Sequence, residues 1–149
     1  MSDFVRATAK DAAAVHDLVR SAYAKWIPII GREPIPMTAD YGLAIRAHMI
    51  DLMFVDNELC GLVELVPEPD CVLILNVAVR PDRAGKGYGR TLMAHAKDVA
   101  RALGRGRLRL FTNKLMVDNI ALYRKLGYTF DREERTPDGR DAVHMSMTL

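Results

Sequence analysis

Residues 71–79, CVLILNVAV, are apolar at almost every position and run straight into PDRAGKGYGR, where glycine occupies 85, 87 and 89. A run that apolar reads as a central strand covered on both faces. Glycine at that density costs conformational entropy, so the backbone there has to be bare for a reason. Beyond it, Leu92, Met93, Ala96, Val99, Ala100 and Leu103 recur at helical spacing, and Gly104 is a natural stop. A strand at 107–111, RLRLF, follows. Strand, glycine turn, helix and strand in that order require a parallel crossover, so the fold holds a sheet with a helix against it.

The rest of the chain fits around that unit. A short strand over 3–7 leads to Thr8, with Asp11 three residues on as a capping-box pattern, then a helical stripe of Val15, Leu18, Val19, Ala22, Tyr23 and Trp26. IPIIGREPIPM carries three prolines and a glycine and reads as a loop. A second helix is predicted over about 38–50, with Tyr41, Ile45 and Met49 on one face. LMFVD and LCGLVELV form a hairpin turning at Asn57 and Glu58, a helix spans about 118–126, and strands near 128–133 and 142–149 close the chain. The expected fold class is mixed α/β (α+β), one domain over 1–149, with a central mixed sheet of about seven strands flanked by about four helices.

Composition excludes several classes of function. Half of the 149 residues are hydrophobic, and 21 basic against 19 acidic side chains leave a formal charge of +2. That is too balanced to make nucleic acid or an anionic membrane the main partner. The arginines at 101, 105, 107 and 109 are not interleaved with aromatics, as stacking on single strands would require. They read as a solvated face or a contact to a ribose phosphate. No apolar run approaches membrane-spanning length and no leader pattern opens the sequence, so a cytoplasmic location is expected. Cys60 and Cys71 lack C-x-x-C spacing and read as buried, reduced thiols; four scattered histidines offer no metal-ligand spacing, so no metal is expected.

The glycine turn sits where a helix begins. Amide N–H groups there lack partners and carry the positive end of the helix dipole, so an anion can approach a bare backbone closely. Lys86 and Arg90 would add charge. The segment satisfies neither G-x-x-x-x-G-K-[ST] nor G-x-G-x-x-G, since position 90 is Arg90.

LNVAVRPDRAGKGYGRTLM (75–93), followed by NIALYRKLGY (119–128), resembles the GNAT superfamily of acyl-CoA-dependent N-acetyltransferases. The resemblance implies that acetyl-CoA is the co-substrate. Its pyrophosphate would lie on the amides of Ala84, Gly85, Lys86, Gly87, Tyr88, Gly89 and Arg90, and its pantetheine arm along Val77, Ala78 and Val79. The family usually places Arg or Gln directly before the first glycine; here that position is Ala84, with Arg83 one residue earlier. Asn76 marks the expected bulge, either satisfying local backbone or touching substrate. Asn119 would reach the pantetheine region.

Tyr123, one turn beyond Asn119, would protonate the departing thiolate, the other reading being a core tyrosine. An N–H at Val77 or Ala78 would stabilise the thioester oxygen. An acceptor amine with a pKa of about 10.4 loses its proton near pH 7 at a cost of about 4 kcal/mol, so a base helps. Glu64 is the candidate, against a relay through water; Glu68 and Asp70 lie just beyond it. Trp26, Tyr41 and Asp40 read either as an aromatic, acidic pocket for a cationic amine or with Trp26 in the core and Asp40 as a helix-start charge. The acceptor is a small-molecule or peptide amine of unidentified structure. A non-catalytic acyl-CoA-binding regulatory module is the alternative. Edge strands at the C-terminal hairpin make a homodimer an expectation.

Overall fold

The computed structural model describes residues 2–149. Seven strands form one sheet: β1 (Ser2–Arg6), β2 (Met49–Val55), β3 (Glu58–Pro67), β4 (Val72–Val79), β5 (Arg107–Asn113), β6 (Thr129–Arg135) and β7 (Asp141–Thr148). Their order across the sheet is β1-β2-β3-β4-β5-β7-β6, so β1 and β6 are the edges. Every neighbouring pair is antiparallel except β4 and β5, which are parallel. Four helices of two turns or more accompany it: α1 (Ala12–Tyr23), α3 (Tyr41–Ala47), α4 (Tyr88–Ala102) and α5 (Val117–Lys125), with α2 (Ile27–Ile30) a single turn. This is the architecture expected from the sequence. Among the described residues no helix is long and apolar enough to cross a membrane.

Period-two alternation in the strands sorts the core onto two faces. Val63, Leu65, Val72, Ile74 and Leu108 meet the apolar stripe of α4, where Leu92 and Ala96 are fully buried. Leu52, Leu62 and Ala78 face Val15, Leu18 and Val19 of α1 and Ala44 of α3. Gly61 shows how tightly strand and helix meet: a Cβ there would lie 2.8 Å from the Ala78 carbonyl and 3.1 Å from Leu92.

Several boundaries differ from expectation, each for a local reason. The helix predicted over 38–50 spans only Tyr41–Ala47, because Asp40 caps its start through the Leu43 N–H (3.1 Å). Its end is set by His48, already extended, and Met49 and Ile50 belong to β2. The proline-rich stretch is not all loop: it contains α2, which stops at Gly31 in the left-handed region, and a 3-10 turn over Ile35–Thr38. The β2–β3 hairpin turns at Asp56 and Asn57, both at positive φ, one residue earlier than predicted. At the amino end, the Thr8–Asp11 box forms as the sequence implied, with the Thr8 N–H donating to the Asp11 carboxylate at 2.8 Å. Cys60 and Cys71 are both free and buried.

Candidate active site

The site begins with a mistake in the ladder. Leu65 pairs with Ile74 but Glu64 pairs with Asn76, so Leu75 is an extra residue on β4. Before the bulge, Val72 and Ile74 point to the α4 face; after it, the same parity places Ala78 against α1. Pairing between β4 and β5 covers only Val72–Ile74 against Leu108–Leu110. Beyond that point β4 stays with β3 and β5 with β7, leaving a slot between the two parallel strands.

Strand alternation decides which backbone groups face that slot. The Arg80 N–H donates to the Cys60 carbonyl at 2.8 Å, so Arg80 and Ala78 turn their polar groups toward β3. Val77 and Val79 therefore turn theirs to the open side. Of the two amides considered from the sequence, Val77 faces the opening and Ala78 is spent in the ladder.

Around the slot lies a cavity of about 450 Å³, of the size that takes a small molecule. Asn76, 3% exposed, is part of its lining. Its side-chain NH₂ donates to the Tyr41 hydroxyl (3.2 Å) and to Glu64 Oε1 (3.4 Å), while its carbonyl oxygen accepts from the Tyr23 hydroxyl (2.9 Å). Tyr23 also reaches the Val77 carbonyl at 3.1 Å, and Tyr41 donates to the Pro36 carbonyl at 2.6 Å. Glu64, equally buried, holds the His48 Nδ1 at 2.7 Å from its other oxygen. Five elements or junctions thus converge on one polar cluster: the end of α1, the start and end of α3, β3 and β4.

Burial raises the phenol of Tyr23 well above its ordinary value, with neighbouring Tyr123 and Tyr41 adding to the effect. Tyr41 is raised by burial and then by the Glu64 charge. Tyr123, half-buried on α5, is pushed up to about 12 by burial alone. Each phenol keeps its proton near neutral pH. Tyr123 lines the cavity together with Asn119 and Met116, and the Asn119 amide approaches the Met116 sulfur at 3.7 Å.

The glycine segment lies beyond Val79, past a 3-10 turn over Pro81–Arg83. Gly85 and Gly87 take φ of 78° and 82°, a region L-residues avoid, and a Cβ on either would meet open space. The Ala84 N–H closes the preceding turn on Pro81 at 3.3 Å. Among the described residues no acceptor meets the amides of Gly85 through Arg90, and Thr91 makes the first helical bond of α4, to Gly87. Lys86 and Arg90 are exposed beside them without an ion-pair partner among the described residues. Arg83 is committed elsewhere, to Glu58.

Of the two readings of Trp26, the core one holds: it is buried and does not line the cavity, whereas Tyr41 and Asp40 do, Asp40 also capping α3. Glu68 chelates Arg109 at 2.6 and 2.8 Å and lies outside the cavity. Arg101 to Arg109 gather at the end of α4 and the start of β5, the opposite end of the sheet from the glycines, where Arg105 and Arg109 are bonded to Glu68. His48 belongs to no motif in the sequence, where it is one of four scattered histidines. Its signal was register: the hairpin places Ile50 opposite Glu64, which brings the residue two before it within reach.

The family pattern of GNAT acetyltransferases matches residues 13–128. The chain belongs to the acetyltransferase (GNAT) family. It is 36% identical to streptothricin acetyltransferase of Streptomyces lavendulae over 80 residues, 50% of this chain and 42% of that protein. It is 34% identical to IAA acetyltransferase of Azospirillum brasilense over 88 residues, 59% of this chain and 57% of that one. The chain thus spans about half the length of the curated relatives it matches. Its fold is shared with the PaiA N-acetyltransferase of Thermoplasma acidophilum, solved with coenzyme A: TM-score 0.81, 17% identity, covering 100% of this chain and 99% of that one.

Proposed function

We propose that the protein is an acetyl-CoA-dependent N-acetyltransferase acting on a primary amine. What supports this reading is an arrangement along one strand: the unpartnered amides of Gly85–Arg90 follow the end of β4, Val77 turns its backbone away from β3, and the buried Glu64–His48 pair lines the cavity beside Asn76 and Val77. Family membership and the coenzyme A bound by the structural neighbour support the identity of the co-substrate.

Bound acetyl-CoA supplies a thioester carbonyl to which the amine nitrogen bonds as the carbon–sulfur bond breaks, the thiolate taking one proton. The chain's own residues would do the rest. The amides at 85–90, with Lys86 and Arg90, hold the anionic end of the ligand at the start of α4. Val77 presents an N–H to the charge developing on the carbonyl oxygen. Glu64 accepts the proton of the incoming ammonium and passes it through His48 toward solvent, since the His48 side chain is the more exposed of the two. Tyr123, kept protonated by its buried position, donates to the departing sulfur, and the second proton that the nitrogen gives up as the amide forms restores its hydroxyl. Tyr23, Tyr41 and Asn76 hold Glu64 and the Val77 backbone in place.

Calorimetric titration with acetyl-CoA, using Gly87→Glu as a blocked-cradle variant, tests the first half. Wild type should bind, and the variant should lose at least tenfold in affinity while keeping its far-UV spectrum and cooperative unfolding. Thiol release from acetyl-CoA with a panel of amines tests the second half. Wild type failing to bind at millimolar acetyl-CoA would sink the proposal.

A further inference from the structure

One face of α3 runs along the cavity. Asp40, Leu43, Ala44, Ala47 and His48 all line it, at the spacing that keeps residues on one side of a helix. Each end of this stripe carries a carboxylate. At the carboxyl end His48 meets the buried Glu64 at 2.7 Å. At the amino end Asp40 is exposed; its Oδ1 accepts the Leu43 N–H at 3.1 Å, and among the described residues no cation meets its other oxygen. From Asp40 to His48 the helix advances about 12 Å.

Apart from His48, the described lining holds one basic side chain, Arg140, and it is already engaged. Its Nε donates to the Asp138 carboxylate at 2.8 Å and its terminal nitrogen to the Glu33 carbonyl at 2.9 Å. The remaining carboxylate of the lining, Asp141, is paired with Arg135 at 3.1 Å. The cavity therefore presents two acidic ends, Glu64 and Asp40, with no free guanidinium or ammonium among its described residues. Between those ends Leu43, Ala44 and Ala47 offer only apolar surface.

We infer that the acceptor is a flexible diamine or polyamine without a carboxylate, its reacting amine at Glu64 and a second ammonium at Asp40, and that Asp40 sets this preference. The inference rests on the acetyl-transfer reading of the same site. Length follows from α3: the two nitrogens must reach both ends of the stripe, so a short diamine satisfies one carboxylate only. Methylenes between them lie against Leu43 and Ala47, where removing apolar surface from water favours binding. A carboxylate on the acceptor would meet like charge at either end, with no free cation to offset its desolvation.

The test compares octamethylenediamine and spermidine with octylamine, putrescine, ω-aminooctanoate and a short uncharged peptide with a free amino terminus. Turnover with acetyl-CoA is read by thiol release. The two long amines should exceed octylamine and putrescine about fivefold in kcat/KM, the modest gain that an ion pair open to water allows. The aminooctanoate should fall below octylamine. Asp40→Asn keeps an oxygen for the Leu43 N–H, so α3 keeps its cap. It should erase the lead of octamethylenediamine over octylamine, through KM rather than kcat. A lead that survives Asp40→Asn overturns the inference, and so do equal losses on both amines, which mark a merely structural role. Wild type preferring octylamine, putrescine, the aminooctanoate or the peptide overturns it too, as does wild type that binds acetyl-CoA yet turns over none of these amines. Failure of acetyl-CoA itself to bind, read by calorimetry before any amine is added, overturns the acetyltransferase reading and this inference with it.

Discussion

His48, where α3 gives way to β2, meets Glu64 of β3 at 2.7 Å, with Glu64 buried and His48 partly exposed. The pair joins a proton acceptor to a route outward. Glu64→Gln is expected to lower kcat by about 10²-fold, the lower end of what a positioned base contributes. Acetyl-CoA affinity should stay near wild type, because the glycine amides are untouched. His48→Ala should cost about tenfold in kcat, again with acetyl-CoA affinity near wild type. Wild-type turnover in Glu64→Gln would remove the carboxylate from the mechanism.

Tyr123 makes a prediction through pH. Its phenol is pushed up to about 12 by burial, so it is protonated throughout an assay from pH 6 to 10. Tyr123→Phe should lower kcat by about 10- to 100-fold. Its profile should nonetheless run parallel to wild type across that range, since the acid that was removed does not titrate there. A descending alkaline limb near pH 8.5 in wild type that vanishes in Tyr123→Phe would contradict this.

Gly61 and Gly106 should respond oppositely to alanine. At Gly61 the new methyl would sit 2.8 Å from a backbone carbonyl and 3.1 Å from Leu92, so strand and helix must part. A loss of about 1–3 kcal/mol is expected from overpacking. At Gly106 nothing lies within 4 Å and φ is not positive, so alanine should be neutral or slightly stabilising. Urea unfolding of both variants measures the contrast.

Glu68 ties the β3–β4 connection to β5 through Arg109, whose two hydrogen bonds hold the carboxyl at about 2. A carboxyl depressed in the folded state contributes stability above its unfolded pKa and loses it as pH falls toward the folded one. The window here is about pH 4.5 down to 2. With the pair partly open to solvent, Glu68→Gln should cost about 1 kcal/mol at pH 7, and the difference from wild type should shrink to nothing near pH 2. Denaturant midpoints taken at several pH values reveal the slope; a difference independent of pH would mean that charge is not the cause.

The parts legible in the sequence are those encoded by neighbours along the chain. The apolar run of β4, the glycines, the α4 stripe and the Gly104 stop sit within about one supersecondary unit, and all form where expected. Thr8 and Asp11 signal a helix start three residues apart. The polar cluster was only half legible. Tyr23 and Asn76 are 53 residues apart, and Glu64 meets His48 across 16, so their meeting depends on strand register and a bulge rather than on local pattern. Tyr23 has the spacing of a core residue, and only its hydroxyl, aimed at the Val77 carbonyl, distinguishes it from one. Around residues 27–38 the prolines concealed short helical turns, because Pro is tolerated in a first turn as readily as in a loop.

Leu75 sets the phase of everything downstream on its strand. Paired in turn opposite Glu64 instead of bulged out, it would make β4 an unbroken two-residue rhythm from Val72 to Val79. The Asn76 amide would then turn into the α4 core, Val77 would face α1, and the open backbone edge would pass to the residues now spent on β3. The strand would be more regular and its pairing with β5 longer, yet Glu64 would lose its amide neighbour and the slot its mouth. One hydrophobic residue, which touches no chemistry, keeps two halves of a strand out of step, and the cavity exists in the gap between them.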